Sequence, residues 1–183
     1  YFEEQRVYEQ FDLTRGPGDP VNATPTSARF QHLVCPSSGE YTSRDRGGVW
    51  KSPTPVTHIV GVAGVGPDAA ALPFGHPRAG VFGNDRRTGV GEFADGIGNT
   101  LLIIEVSHDV GHWAFGGTGT LRTFDPAAQP YLGEGRTFGG WHTRVCTAAF
   151  ADGSVRSLNE DTSFEVLEAL ATVAGKERLP VEW

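Results

Sequence analysis

Basic clusters, long apolar runs and cysteines are all scarce in this sequence, and each shortage removes a class of function. Lysine and arginine never gather: 15 basic residues face 22 acidic ones, for a formal net charge of −7. A phosphate backbone therefore meets no electrostatic footprint, and an anionic lipid surface would repel the chain, so no nucleic-acid partner is expected. The longest largely apolar run of the candidate strands is residues 101–106, Leu-Leu-Ile-Ile-Glu-Val, and it contains a glutamate. That falls far below the roughly 20 residues a membrane helix requires, so no membrane span is expected within this chain. A signal-peptide pattern is also missing. The two cysteines, Cys35 and Cys146, form neither C-x-x-C nor C-x-x-C-H, which leaves dithiol redox motifs and covalent haem unsupported. In an exported protein they could form one disulfide; otherwise they are two separate, buried, inert thiols.

What the sequence does have is turn formers. It holds 25 glycines and 12 prolines in 183 residues, with 38% hydrophobic and 10% aromatic content. That is enough apolar material for one domain with a real core. The expectation is an α+β fold: a small antiparallel sheet, long Gly/Pro-rich loops, and a helix near each end.

Residues 1–11 read as a helix already under way, with Val7 and Phe11 on one stripe and no Ser, Thr, Asp or Asn in front as a cap. A cleaved, trimmed or omitted segment is expected upstream. Gly16-Pro17-Gly18 stops this helix. His32-Leu33-Val34-Cys35 reads as a short strand ended by Pro36. Residues 57–66 read as another strand, whose three glycines predict close backbone approach or a bulge. Residues 101–106 are the candidate central strand, with Leu102 and Ile104 on one face and Leu101 and Ile103 on the other. Residues 146–151 and 154–158 flank Asp152-Gly153, which predicts a two-residue type I′ hairpin with Phe150 opposite Val155. A last helix begins at a capping box formed by Thr162 and Glu165, carries Phe164, Leu167, Leu170, Ala171 and Ala174 on one side, and stops at Gly175.

Candidate chemistry is sparse. His108 and His112 have the spacing of helical metal ligands, but Val110-Gly111 between them disfavours a helix. Asp95, Asn99 and Glu105 are weak calcium candidates. As an EF-hand they fail, because Ile97, Thr100 and Val106 stand where an oxygen ligand, a glycine and a glutamate are needed. His142 and Asp152 could form an acid–base pair; the simpler reading has Asp152 shaping the turn and His142 tying its loop to a main-chain carbonyl. Neither a nucleophile elbow nor a nucleotide-binding glycine motif is present. No cofactor is expected, with calcium the one exception kept open.

The order of several segments resembles a family. His142, nine residues, then Asp152-Gly153 match the C-terminal H-x9-D-G signature of a prepilin-type domain of unknown function abundant in planctomycete bacteria. Tyr1-Phe2-Glu3-Glu4-Gln5, Cys35-Pro36-Ser37-Ser38, residues 57–64 and residues 95–100 match the family's style upstream. Thr143-Arg144-Val145-Cys146 departs from the family's Gly-rich stretch, and Ile97-Gly98 from its Thr-Ser. The resemblance implies a single pseudopilin-like domain over 1–183 that lacks its N-terminal hydrophobic helix, with a lost upstream helix as the anchor. It also implies a periplasmic or cell-surface location. The expected function is a non-catalytic, exported structural subunit, type II secretion-like, that assembles with itself or with partner proteins at the cell envelope through its N-terminal end and long loops. The alternative is a binding module whose loops at 67–91 and 107–140 grip a partner protein or a glycan. In that reading Trp50, Trp113, Tyr131 and Trp141 are either anchors or lids on the core.

Overall fold

The computed structural model describes residues 3–39, 41–42, 49–50 and 54–177; Tyr1, Phe2 and the side chain of Trp50 lie outside the described residues. The fold is α+β. Its centre is a five-stranded sheet of β4 (Ile59–Val65), β5 (Leu101–Glu105), β7 (Leu121–Phe124), β8 (Val145–Phe150) and β9 (Val155–Asn159). The strand order is β7-β4-β5-β8-β9. All pairs are antiparallel except β4–β7, which is parallel, so the sheet is mixed. Two short antiparallel ladders stand apart: β1 (Tyr41–Thr42) with β2 (Val49–Trp50), and β3 (Val56–Thr57) with β6 (Gly111–His112).

As expected, residues 101–105 occupy the middle of the sheet. The alternation of their side chains does not follow the simple period, however. The register slips between Leu101 and Ile103, so Leu101 and Ile104 both enter the core while Leu102 and Ile103 are half-buried. A bulge adds one residue and shifts the facing of what precedes it. From Ile103 onward the period holds, and the cross-strand pairs Ile59–Glu105, Val60–Ile104 and Gly61–Ile103 define two faces. Val60, Val62 and Ile104 pack with Phe124, Phe150, Leu167 and Leu170 in one buried cluster.

The helices are shorter than expected. α1 is one turn, Gln5–Tyr8, without a side-chain cap; hydrogen bonds continue it loosely to Phe11. α2 is Ala23–Thr26. α3 is Phe164–Leu170, and its cap is Ser163, which accepts from the N–H of Val166, in place of the expected Thr162. It stops before Gly175, because Thr172 and Val173 turn into the core and Val173 donates to Ala79 O at 3.0 Å. Residues 32–35 are not a strand. A 3-10 turn spans Gln31–Leu33, and the N–H of Cys35 goes to the ring of His58 instead of to a ladder.

At the hairpin only Gly153 has positive φ, at 85°. Gly153 N donates to Phe150 O, and Phe150 N to Ser154 O, both at 2.9 Å. This is a three-residue loop, a type I turn followed by a left-handed glycine, so Val155 faces Ala149 and not Phe150. Asp152 sits inside the turn, where its carboxylate accepts from Ser154 N at 2.8 Å.

Each long loop is organised around one arginine. Arg122 is buried and donates to the carbonyls of Thr118, Thr137, His108 and Asp109 at 2.6–2.9 Å. Arg86 donates to Leu72 O at 2.7 Å, to Ala63 O at 3.2 Å and to Phe82 O. Close backbone approach occurs where the glycines predict it: Gly64, at φ 117°, bridges Ala79, and a Cβ there would collide with Arg78 O.

Two outcomes follow from this packing. Replacing Gly153 with alanine meets no neighbouring atom, so the cost should be the left-handed backbone penalty alone, about 1–2 kcal/mol by urea unfolding; no loss at all would mean the turn had reformed differently. Arg122→Met should cost more, at least about 3 kcal/mol, because it strands several buried carbonyls at once. A loss under about 1 kcal/mol would show that water replaces the guanidinium freely.

Candidate functional site

The face of the sheet turned away from α3 carries Ile59, Gly61, Ile103 and Glu105. A carboxylate ends the central strand on that face, and it is only 7% exposed. Among the described residues no lysine, arginine or histidine forms an ion pair with Glu105. The main-chain N–H of Thr147 donates to its Oε2 at 3.4 Å. The carboxylate rests against Gly140, where any Cβ would strike it.

Two further groups converge there. Cys35, half-buried, enters from the 31–38 segment, and His142, exposed, enters from the loop before β8. Cys35 Sγ lies 3.7 Å from His142 Nε2 across 107 residues of chain. One donor atom from each of Cys35, Glu105 and His142 lies within 4.8 Å of the other two. The three border a cleft of about 330 Å³, lined also by His32, His58 and Thr147.

The segment bearing Cys35 is held by His58, which interrupts β3 and β4. His58 is fully buried. Its Nδ1 accepts from Cys35 N at 3.1 Å, its main-chain N–H donates to Leu33 O at 2.7 Å, and its ring stacks on Trp141 at 4.2 Å. Accepting at Nδ1 places the proton on Nε2, which is buried with no partner among the described residues. Burial pulls the imidazole down to about 4, against the Glu105 charge, so the ring is neutral. Burial, with the Glu105 carboxylate alongside, pushes the Cys35 thiol up. Cys146 faces the core; its thiol donates to Glu105 O at 3.3 Å, and burial raises it to about 12.

The sequence-named residues are therefore regrouped. Cys35 and Cys146 are free thiols with separate partners and no disulfide joins them. Asp95, Asn99 and Glu105 do not form a calcium site. The Asp95 carboxylate caps the chain after α3, accepting from Gly175 N and Lys176 N at 2.8 Å. Asn99 Nδ2 reaches only the Asp95 carbonyl, at 3.5 Å, and Glu105 sits at the far end of the strand that follows, roughly 13 Å beyond Leu101 at the rise of a β-strand. His142 and Asp152 flank opposite ends of β8, which rules out an acid–base pair, and the ring of His142 meets a thiol instead of a carbonyl. His108 pairs with Asp109 at 3.3 Å, and His112 stacks on Phe115 at 4.1 Å, with no helix under them. The aromatic rings cover the core: Tyr131 is buried and donates to Glu168, Trp113 packs on Phe30 at 5.0 Å and donates to Ala28 O at 2.8 Å, and Trp141 lies on His58. His58 and Gly140 were given no site role by the sequence, although both lie in stretches that carry the family resemblance.

The differing burial of the thiols is directly measurable. In native protein a thiol-exchange reagent should reach the half-buried Cys35 slowly, because its thiol is held up, and Cys146 only after denaturation. Cys146 reacting in the native state as fast as Cys35, or faster, would contradict this arrangement.

No curated protein and no solved structure matches this chain. A family model described as "Protein of unknown function (DUF1559)" matches residues 1–120. Cys35, His58 and Glu105 fall inside that stretch, while His142 and Asp152-Gly153 lie beyond it. With well over half of its length covered, the chain belongs to the DUF1559 family.

Proposed function

We propose that this chain is a non-catalytic structural subunit, pseudopilin-like and exported to the periplasm or cell surface, which assembles with further copies of itself. The observation that carries this reading is an apolar groove of about 530 Å³ between α1 and the open face of the sheet. Val7, Tyr8 and Phe11 form one wall, Ile59 and Ile103 the floor, and Phe82 and Trp113 the sides. Tyr8 is 57% exposed at the rim, and Leu13 nearby in sequence is 66% exposed. Apolar surface left open in a folded chain marks a contact surface.

Charge supports a second copy as the occupant. Subunits with a net charge of −7 repel one another over most of their surface. Among the described residues Glu4 is the sole acidic one lining the groove, so two copies can appose there without stacking like charges. The resemblance to prepilin-type domains, with its His142 and Asp152-Gly153 signature, supports the same reading, since that architecture sets a helix against a small sheet and builds assemblies from many subunits.

Sedimentation velocity over a concentration series tests this. The chain should self-associate, and Tyr8→Glu and Ile103→Glu should each weaken association by about tenfold or more, with Tyr8→Glu leaving the melting temperature unchanged. A chain that stays monomeric at about millimolar concentration, or whose association ignores both substitutions, would remove the basis for the proposal.

A further inference from the structure

The cleft beside Glu105 carries an inference about a site that the proposed function does not use. We propose that Cys35, Glu105 and His142 bind one zinc ion, with a fourth position open to water in the cleft. Each donor suits zinc: a thiolate, an imidazole and a carboxylate are the side chains that ligate it, and three protein ligands plus a water is its usual open arrangement. Zn–S of about 2.3 Å and Zn–N of about 2.0–2.1 Å at a tetrahedral angle set sulfur and nitrogen about 3.6 Å apart. Cys35 Sγ and His142 Nε2 stand 3.7 Å apart, and the third donor, from Glu105, lies within 4.8 Å of both. The Cys35 thiol also hydrogen-bonds the Glu105 carboxylate, so all three donors already face one point.

Calcium fits poorly, because it takes six to eight oxygen ligands and this cluster offers one carboxylate. The energetics also call for a cation. Glu105 is a buried carboxylate that accepts from the Cys35 thiol and Thr147 N but has no ion pair among the described residues, and burying a charge without a counter-charge costs free energy that hydrogen bonds only partly offset. A divalent ion supplies the missing charge. On binding, the Cys35 S–H bond breaks, its proton leaves to solvent, and the thiolate's electron pair goes to the metal.

The surroundings are arranged as a ligand cage requires. His58 is a positioning residue: it fixes the Cys35 backbone through Nδ1 and is itself clamped by Trp141. Its second nitrogen is buried and without a partner among the described residues, and the residue borders the same cleft. Gly140 leaves the space that the Glu105 carboxylate occupies. Cys146 is close in sequence to His142 but belongs to the core, hydrogen-bonded to Glu105 O, and is not one of the three ligands.

The test uses the whole chain, reduced and stripped with a chelator. Calorimetric titration with zinc chloride should saturate at one ion per chain and raise the melting temperature. Cobalt chloride should give the intense visible bands of a tetrahedral ion with a thiolate-to-cobalt band in the near ultraviolet. His142→Gln, at an exposed position that leaves the fold intact, should weaken zinc binding by at least about 100-fold, as should Cys35→Ser. Cys146→Ala, outside the cluster, should keep both stoichiometry and spectrum. The site is overturned if the native chain shows no saturable zinc binding, if His142→Gln binds as tightly as the unaltered protein, or if the cobalt spectrum lacks the thiolate band.

Discussion

A chain this rich in glycine and proline cannot satisfy its main chain with ladders alone, and the buried guanidinium of Arg122 is what lets it fold without them. Four carbonyls from the loops around the 107–140 region converge on that one side chain. Arg86 repeats the device for the 67–91 region, binding carbonyls of residues 63, 72 and 82. A guanidinium offers five donors in a rigid fork, so a single residue can replace several backbone N–H partners. The loops held this way are ordered connections. Aromatic residues within or beside them, Tyr131, Phe138 and Trp113, are thereby pinned over the core.

That same ordering builds the cluster on the open face. Glu105 owes its place to the sheet register, which fixes it beside Ile59. Cys35 owes its place to His58, and His142 to the loop that enters β8. Three segments far apart in sequence meet because each is tied to the sheet by a main-chain bond: His58 N to Leu33 O, Val106 N to His58 O, and Gly139 N to Glu105 O. Fixing a carboxylate in so enclosed a spot is costly unless something else shares the charge.

Much of the scaffold was legible in the sequence because it rests on local rules. The apolar run at 101–106 lies at the sheet centre, and the turn at Asp152-Gly153 joins two strands. Where prediction slipped, a tertiary contact had overruled the local rule. The Leu101–Ile103 bulge changed the facing of one strand. A main-chain bond from Val173 to Ala79 drew the end of α3 inward before Gly175. The site was legible only in pieces. Cys35 stood out as a cysteine, Glu105 as a calcium candidate and His142 as part of a signature. Nothing in spacing reports that 107 residues of chain fold Cys35 onto His142. His58 carried no sign of a site role, since a lone histidine between β-branched residues reads as ordinary strand.

The groove and the cleft are two halves of one surface. Ile59, Ile103 and His32 line both, so an occupant pressed onto the groove floor also forms a wall of the cleft. The register explains why. Ile59 lies across from Glu105 and Gly61 from Ile103, which places the apolar floor one strand position from the carboxylate. A partner covering Ile59 and Ile103 lowers the local dielectric around Glu105, and that strengthens every electrostatic interaction the carboxylate makes. By reciprocity of binding free energies, a cation held at Glu105 then favours the occupied groove by the same factor that the occupant favours the cation. The geometry of one sheet face thus puts the proposed assembly surface and the proposed ion site in a single physical neighbourhood, with the three ligands themselves outside the groove.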